Sequence, residues 1–319
     1  MAAARAGGAG AGAGARGGGS LLRWVERCNA GGRAGLVPLW LGAGAGRVAG
    51  YLRPEFAERL GGYTQVFSLE REGRGAPCAQ GVGLRLAEPL RAAPLAAASE
   101  AVGGVMADLR DRGVISGWRD ELYPIAAGFH SEPLLLLERA AVPHFGVRAY
   151  GVHVCAYVRG TGGALSMWVA RRSPNKPTWP GLLDHLVAGG QPHGISPGDN
   201  VLKECMEEAN VGESLARRAC PAGAVSYEYL LDEGLKRDVL FCYDLELPAS
   251  FEPSNNDGEV AEFMLWPIEQ VMQTVAETDD FKPNCNLVII DFLIRHGCLT
   301  PDHPEYLALV KRLRSGDCD

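Results

Sequence analysis

The sequence predicts an α/β protein in which a mixed sheet lies between two layers of helices, an α/β/α sandwich, preceded by a smaller α+β accessory domain. Strand and helix patterns alternate from about residue 144 to residue 300, which is typical of such a sandwich. Two strand patterns at 152–158 and 165–170 flank the glycine-rich segment 159–163 and predict a hairpin. A chain of 319 residues is long enough for two domains.

The first 143 residues divide into two parts. Residues 1–20 are almost entirely alanine, glycine and arginine and are predicted to be a disordered tail, because they offer little to bury. Residues 21–143 are predicted to be the accessory domain, which begins with a helix and contains a strand at 37–41, a helix at 100–112 and a buried strand at 133–138. Since no catalytic group of residues is evident there, we expect this domain to pack beside or over the active site.

The region 144–300 is predicted to form the sandwich, and residues 301–319 a C-terminal helix and tail. After the hairpin we expect a short helix near residue 200, three further strands and two helices. The strands are predicted at 224–231, 238–247 and 260–266, and the helices at 267–278 and 286–296.

Composition and charge exclude several classes of function. The net charge of −7 argues against a nucleic-acid-binding protein, which would need a basic surface. No apolar run approaches the roughly 18 residues that a membrane span requires. The nine cysteines are scattered without close pairs and are predicted to be reduced thiols of an intracellular protein. We expect a cytoplasmic location, with a mitochondrial one as the alternative because the acid-free tail carries Arg5 and Arg16. The sequence leaves the oligomeric state open.

The most informative segment, 189–211, predicts a short helix with well-defined ends. Ser196 is placed to cap the helix, Pro197 suits its first position, and Asp199 lies where the acid of a capping box belongs. Asn210 lies where a helix commonly ends in the left-handed conformation. The helix is therefore expected to be held firmly at both ends.

Three acidic residues gather in the second half of this helix. Residues three and four apart share a helix face, so Glu204 neighbours both Glu207 and Glu208. The nearby base, Lys203, is expected to point elsewhere. Such a group of carboxylates suits a hard divalent cation, Mg²⁺ with Mn²⁺ as the alternative, that is shared with substrate phosphates. A solvated acidic face is the other interpretation of the three acids taken alone.

The segment resembles the Nudix box, a glycine followed by a glutamate and then by Arg-Glu-aliphatic-x-Glu-Glu-x-Gly-aliphatic. Gly189 stands at the first glycine, Glu204 at the glutamate after the arginine, and Glu207 and Glu208 at the paired glutamates. The resemblance implies that these three glutamates are the catalytic and metal-binding residues of a diphosphate hydrolase with a Nudix sandwich fold.

Three positions depart from the pattern of the box. Ile195 replaces the first glutamate, Lys203 the arginine and Asn210 the glycine. In the family, that glutamate and arginine support one another as an ion pair. Once the glutamate is replaced, the arginine is no longer needed, so the two replacements are expected to occur together. Asparagine is the second-best residue for a left-handed helix end. We therefore interpret the box as divergent but functional.

A longer resemblance covers most of the chain from about residue 21. The segments 168–181 and 183–196, which include the run Pro192-His193-Gly194-Ile195-Ser196, are similar to plant and fungal Nudix proteins related to thiamine pyrophosphokinase. This similarity implies the N-terminal domain of that group and cleavage of a small-molecule diphosphate to a monophosphate. The implied substrates are thiamine diphosphate and its oxidised oxy and oxo forms.

Further residues are candidates for binding the substrate or the cation. Arg171, Arg172 and Lys176 could meet the terminal phosphate, and Gly189 and Gly190 are assigned to substrate binding with them. The family commonly recruits one more carboxylate as base or ligand. The candidates for it are Glu259, which we assign to the metal, and Glu262.

Rings near the box offer a surface for a flat substrate. Trp168, Trp179, Tyr227 and Tyr229 could enclose a heteroaromatic ring, although each equally suits a core or rim position. His185, like His193, is expected to form hydrogen bonds within its loop rather than to act in catalysis.

Three other interpretations remain open at this stage. The run around 172–181 also resembles isopentenyl diphosphate isomerase, but the cysteine which that enzyme requires after the Pro-Gly pair is replaced by Asp184, His185 and Leu186. Another diphosphate, such as ADP-ribose or a dinucleotide, could be the substrate. A non-catalytic Nudix module that binds a diphosphate or a protein is the third.

Overall fold

The computed structural model describes residues 19–42, 48–71 and 81–316. The predicted disordered tail, 1–20, lies outside the described residues except for its last two positions. Buried side chains form one core in the N-terminal half and two further cores on the two faces of a large sheet. None of the helices formed by the described residues combines the length and the apolarity needed to cross a membrane.

The described part of the accessory domain contains two small sheets, a mixed one of four strands and an antiparallel one of two, together with four helices. Its four-stranded sheet has the order β2-β1-β4-β3, and β5 pairs with β6 in a separate hairpin. The strands are β1 Val37–Trp40, β2 Val48–Leu52, β3 Phe67–Arg71, β4 Val82–Leu86, β5 Leu122–Ile125 and β6 Leu135–Glu138. The helices are α2 Pro54–Gly61, α3 Glu88–Arg91, α4 Leu95–Asp111 and α5 Val142–Phe145.

A seven-stranded mixed sheet forms the centre of the second half. Its main path is β11-β12-β7-β8-β13, while β10 pairs with β7 and β9 pairs with β8. The strands are β7 Arg148–Arg159, β8 Leu165–Arg172, β9 Leu183–Asp184, β10 Val187–Gly190, β11 Cys220–Leu230, β12 Leu235–Glu246 and β13 Val260–Pro267. The predicted hairpin is confirmed, because β7 and β8 pair antiparallel around Tyr157 and Met167.

Helices cover both faces of this sheet, which confirms the predicted α/β/α sandwich. Because side chains alternate along a strand, Val152 and Val154 of β7 enter one core and Cys155 and Tyr157 the other. The first face carries α6 Pro197–Ala209 and α7 Glu213–Ala216. The second carries α1 Leu22–Cys28, α8 Ile268–Glu277, α9 Pro283–Arg295 and α10 Tyr306–Arg312.

Helix α1 belongs to the predicted accessory domain in sequence, but it packs on the sandwich. Trp24, Val25 and Cys28 lie in the core shared with α9 and β11, and the Trp24 Nε1–H donates to the carbonyl of Val275 at 2.7 Å. The apolar face of this short helix covers part of α9 that would otherwise face water. The N-terminal segment therefore ties the accessory domain to the far side of the sandwich.

Candidate active site

The geometry of α6 confirms the predicted helix ends. The Ser196 hydroxyl oxygen accepts from the Asp199 N–H at 3.1 Å, and Pro197 occupies the first turn. Asn210 ends the helix in the left-handed conformation, at φ 50° and ψ 36°. Because both ends are fixed by local contacts, the helix presents its acids in one defined direction.

Glu204 lies directly against the glycine strand β10. A Cβ placed on Gly189 would lie 2.2 Å from the Glu204 Cδ, so a residue with a side chain cannot stand there without moving the carboxylate. The Glu204 side chain is only 12% exposed. Burial raises the pKa of Glu204, although the Lys203 ammonium opposes this. Gly189 is thus required by close packing against an acidic side chain.

Glu208 is the most enclosed acid of the box. Its Oε2 accepts a hydrogen bond from the Ala188 N–H at 2.8 Å. Burial raises its pKa well above the ordinary glutamate value, and the nearby carboxylates of Glu204, Asp184 and Glu259 raise it further. An enclosed carboxylate surrounded by other acids calls for a positive charge beside it.

The expectation that Lys203 points elsewhere was wrong. Its Nζ lies 3.1 Å from the Glu204 Oε1 and 2.8 Å from the Glu207 Oε2. A lysine has a long flexible stem, so its ammonium can reach the carboxylates that are adjacent and four positions on. Lys203 therefore relieves the repulsion between two box acids in this structure.

The box acids fit a hard cation chemically, through their oxygen donors and the enclosed charge of Glu208. The described residues do not hold them as a tight cluster, because Lys203 lies between Glu204 and Glu207. Of the two extra carboxylates considered, Glu259 lies close enough to affect Glu208 and pairs with Lys176. Glu262 instead makes a long surface pair with Arg171 at 3.5 Å.

A cavity of about 750 Å³ opens beside Gly189 and Gly190. Of the aromatic residues considered, Trp179, Tyr227 and Tyr229 line it, whereas Trp168 belongs to the core under α6. The sequence analysis missed several other residues of its wall, which come from distant segments and carry no local motif. These are Tyr123 and Arg139 of the accessory domain, Tyr150 of β7, Asp238 of β12, and Lys282 and Asn284 at the start of α9.

The three cations predicted to meet the phosphate are all engaged with the protein. Arg172 donates to the carbonyls of Thr178 and Trp179 at 2.9 and 3.0 Å and to Asp184 at 2.8 Å. It therefore holds the loop that carries Trp179 over the cavity. Arg171 bonds to the carbonyl of Gly181, and none of Arg171, Arg172 and Lys176 is among the residues that line the cavity.

His185 forms its loop hydrogen bond through its backbone N–H, which donates to the Asp184 Oδ1 at 2.9 Å, and not through its ring. Its ring is buried 5.0 Å from that of His153, and neither of its nitrogens has a hydrogen-bond partner among the described residues. Burial lowers its pKa to about 4, so the ring is neutral. By contrast, the His193 backbone N–H donates to the carbonyl of Leu122 at 3.0 Å, which joins its loop to β5.

His153, His185 and Cys285 form a group of possible metal ligands. Among the described residues it is the one group of this kind whose donor atoms all lie within 4.8 Å of one another. Cys285 Sγ already donates to Asp184 at 2.7 Å. Arg172 and Lys282 lie 2.8 and 3.6 Å from the same carboxylate. Because two cations already neutralise the one acid there, we do not assign the group to a cation site; of its three members, His153 lines the cavity.

Comparison with known proteins agrees with this geometry. Residues 149–285 match the family model of the NUDIX domain, and residues 20–149 match a domain of unknown function, DUF4743. The solved Nudix domain of NrtR from Shewanella oneidensis matches 49% of this chain and 91% of its own, at 17% identity and a TM-score of 0.37. The match to the family model shows that residues 149–285, which include the capped acidic helix, form a Nudix domain.

Relatives that match most of the chain show the family to which the protein belongs. The chain is 44% identical over 299 residues to Nudix hydrolase 20, chloroplastic, of Arabidopsis thaliana, a match covering 92% of this chain and 77% of the relative. It is 42% identical to Nudix hydrolase 24, chloroplastic, of the same plant, over 93% and 78%. The chain belongs to the Nudix hydrolase family, in the group with an N-terminal DUF4743 domain. The names of these relatives lend the expected cytoplasmic location no support.

Proposed function

We propose that this Nudix hydrolase uses Mg²⁺, or Mn²⁺ in its place, to cleave thiamine diphosphate or its oxidised forms to the monophosphate. The observation that carries the proposal is a single cavity with two chemically different ends. Gly189 and Gly190 form one part of its wall, and tyrosines and Asp238 form another. The box acids do not line the cavity themselves, but Glu204 packs against Gly189 at its border. A substrate with a diphosphate tail and a cationic heteroaromatic head would match both.

The head-group end is built around a buried hydrogen-bond chain. Asn284 Nδ2 donates to the Tyr227 hydroxyl at 3.0 Å, and that hydroxyl donates to Asp238. Tyr227 and Tyr229 lie along the same wall, with their ring centres 5.9 Å apart. Aromatic faces attract organic cations, and a carboxylate can accept from an exocyclic amino group. Both features suit the thiazolium and aminopyrimidine rings of thiamine.

At the diphosphate end, Glu204, Glu207 and Glu208 would hold the cation, with Glu259 as the further carboxylate. The cation would supply charge neutralisation on the phosphate oxygens and acidify a bound water. Lys203 must release Glu204 and Glu207 to expose their oxygens. Gly189 lets the backbone of β10 lie directly against Glu204, because it has no side chain to intervene.

The reaction consumes one water. The water oxygen forms a bond to one phosphorus, the bond from that phosphorus to the bridging oxygen breaks, and a monophosphate and inorganic phosphate leave. The proton from the water passes to a carboxylate of the box.

A substrate panel tests the proposed function. Full-length protein with Mg²⁺ would be assayed for monophosphate and phosphate release from thiamine diphosphate, oxythiamine diphosphate, oxothiamine diphosphate, ADP-ribose and a dinucleotide. We expect the highest kcat/KM on a thiamine-type compound. Preference for ADP-ribose or the dinucleotide would replace the substrate assignment, and tight binding without turnover would indicate a non-catalytic module.

The raised pKa of Glu208 predicts a link between pH, Mg²⁺ and stability. An acid whose folded pKa is raised stabilises the fold fully below its unfolded pKa of about 4.3, and this contribution is lost as pH rises through the folded pKa. A cation beside the ionised carboxylate offsets the loss. We therefore expect Mg²⁺ to raise the Tm little at pH 5 and clearly at pH 8, measured by thermal unfolding. An equal rise at both pH values would contradict the assignment.

Asp238→Asn tests the head-group end of the cavity. The substitution keeps the shape but removes the carboxylate that would accept from the amino group of the head, whose charge Lys236 already balances at 2.7 Å. Loss of such a charged hydrogen bond costs about tenfold or more in binding. We expect the KM for thiamine diphosphate to rise by roughly that factor with kcat little changed. Asp232→Asn is the matched control, because Asp232 is exposed in the turn between β11 and β12, the strand that carries Asp238. An unchanged KM would place the ring elsewhere.

A further inference from the structure

The accessory domain contacts the glycine strand of the Nudix domain through two side chains. Tyr123 comes from β5 and Arg139 directly follows β6. A Cβ placed on Gly190 would lie 1.7 Å from the Tyr123 hydroxyl and 3.1 Å from the Arg139 Cζ. These two residues therefore reach the segment that borders the box acids, and both line the cavity.

Arg139 is held in place by its own domain. Its Nη1 donates to the Glu121 Oε2 at 2.7 Å, and its guanidinium lies 5.6 Å from the centre of the Tyr123 ring. The turn that carries it is capped by Glu138, whose carboxylate accepts from the Ala140 N–H at 3.1 Å. The pairing of β5 with β6 fixes Glu121 and Arg139 beside each other, since Leu122 lies opposite Glu138.

The other cations in the cavity wall have different neighbours. Lys236 lies 2.7 Å from Asp238 at the head-group end, and Lys282 lies 3.6 Å from Asp184. Arg139 instead contacts the strand that borders the box. Its guanidinium has further N–H groups beyond the one bonded to Glu121, and a planar fork of this kind matches a phosphate group better than an ammonium does.

We propose that Arg139 binds the terminal phosphate of the substrate from the side opposite the box acids, so that the two domains form one active site. This proposal rests on the proposed function, because it assumes a diphosphate in the cavity. Glu121 acts as a positioning residue that orients the guanidinium, and the Tyr123 ring supports one face of that guanidinium. The accessory domain then contributes directly to substrate binding.

Inhibition by inorganic pyrophosphate tests this proposal. Full-length Arg139→Ala is expected to raise both the KM for the diphosphate and the inhibition constant for pyrophosphate by about tenfold or more, as for a lost charged hydrogen bond. Arg139→Lys should recover only part of the loss. Binding of phosphate-free thiamine, followed by tryptophan fluorescence, should stay unchanged, which a merely structural role would not predict.

Arg112→Ala is the matched control, because Arg112 also forms an ion pair in the accessory domain, at 2.9 Å from Asp108, but does not line the cavity. If Arg139→Ala fails to fold, Arg139→Gln serves in its place. Unchanged pyrophosphate inhibition in a folded Arg139 variant would overturn the proposal. If the wild type hydrolyses a different diphosphate, the thiamine assignment fails, while pyrophosphate inhibition of that reaction still tests Arg139.

Discussion

Glu208→Gln is expected to lower turnover by at least about a hundredfold, as when a metal ligand or proton acceptor is lost. Glu208 is the enclosed acid of the box, held by the Ala188 N–H and surrounded by three other carboxylates. Glutamine keeps the size of the side chain but cannot carry the charge that a cation requires. Steady-state assays on the best substrate of the panel measure the effect.

The same substitution separates a catalytic loss from a folding defect. A neutral amide removes the repulsion among the acids, so the free energy of unfolding should stay the same or rise in the absence of Mg²⁺. The Mg²⁺-dependent rise in Tm at pH 8 should be lost or greatly reduced. Glu213→Gln is the control, because Glu213 is exposed on α7 and pairs with Arg217. Near-normal turnover in the Glu208 variant would mean that the cation ligands are misassigned.

Gly189→Ala should have the second large effect, again about a hundredfold on turnover, since a displacement near 1 Å in an active site can cost that much. The new Cβ would lie 2.2 Å from the Glu204 Cδ and must push the carboxylate out of its position. Because the end of a glutamate side chain can rotate away, we expect the Tm to change much less than the turnover.

The box itself provides the control for this substitution. Gly198 lies in the first turn of α6 and has an open environment, because the nearest side-chain atom, the Ser196 Oγ, would be 4.0 Å from its Cβ. Gly198→Ala should therefore leave turnover unchanged and stabilise the fold by about 0.4–1 kcal/mol. Equal turnover in the Gly189 and Gly198 variants would show that the position of Glu204 against β10 does not matter.

The structure places two side chains of the accessory domain beside the glycine strand. Tyr123 and Arg139 belong to a hairpin that packs on Gly190, and the His193 N–H bond to Leu122 joins that hairpin to the loop before α6. Substitutions at this junction are therefore expected to affect the active site as well as the domain contact. The sequence analysis placed the domain beside or over the site but assigned it no side chain there.

Local features of the sequence predicted the helix that carries the acids. Ser196, Pro197 and Asn210 act through contacts within a few residues, so their pattern is legible without the rest of the fold. The alternating strands of β7 and β8 were predicted for the same reason. The contacts of Lys203 were not, because a flexible side chain settles among charges whose final separation depends on packing.

The amino-acid sequence by itself determined the sandwich, the capped helix and the three acids, because each depends on periodicity and on near neighbours. Only the tertiary structure decided which cations face the cavity: Arg172 is used to hold a loop, while Arg139 contacts Gly190, which is 51 residues further along the chain. The packing of the β5–β6 hairpin on β10 sets that contact, and such long-range packing leaves no pattern in the residues on either side.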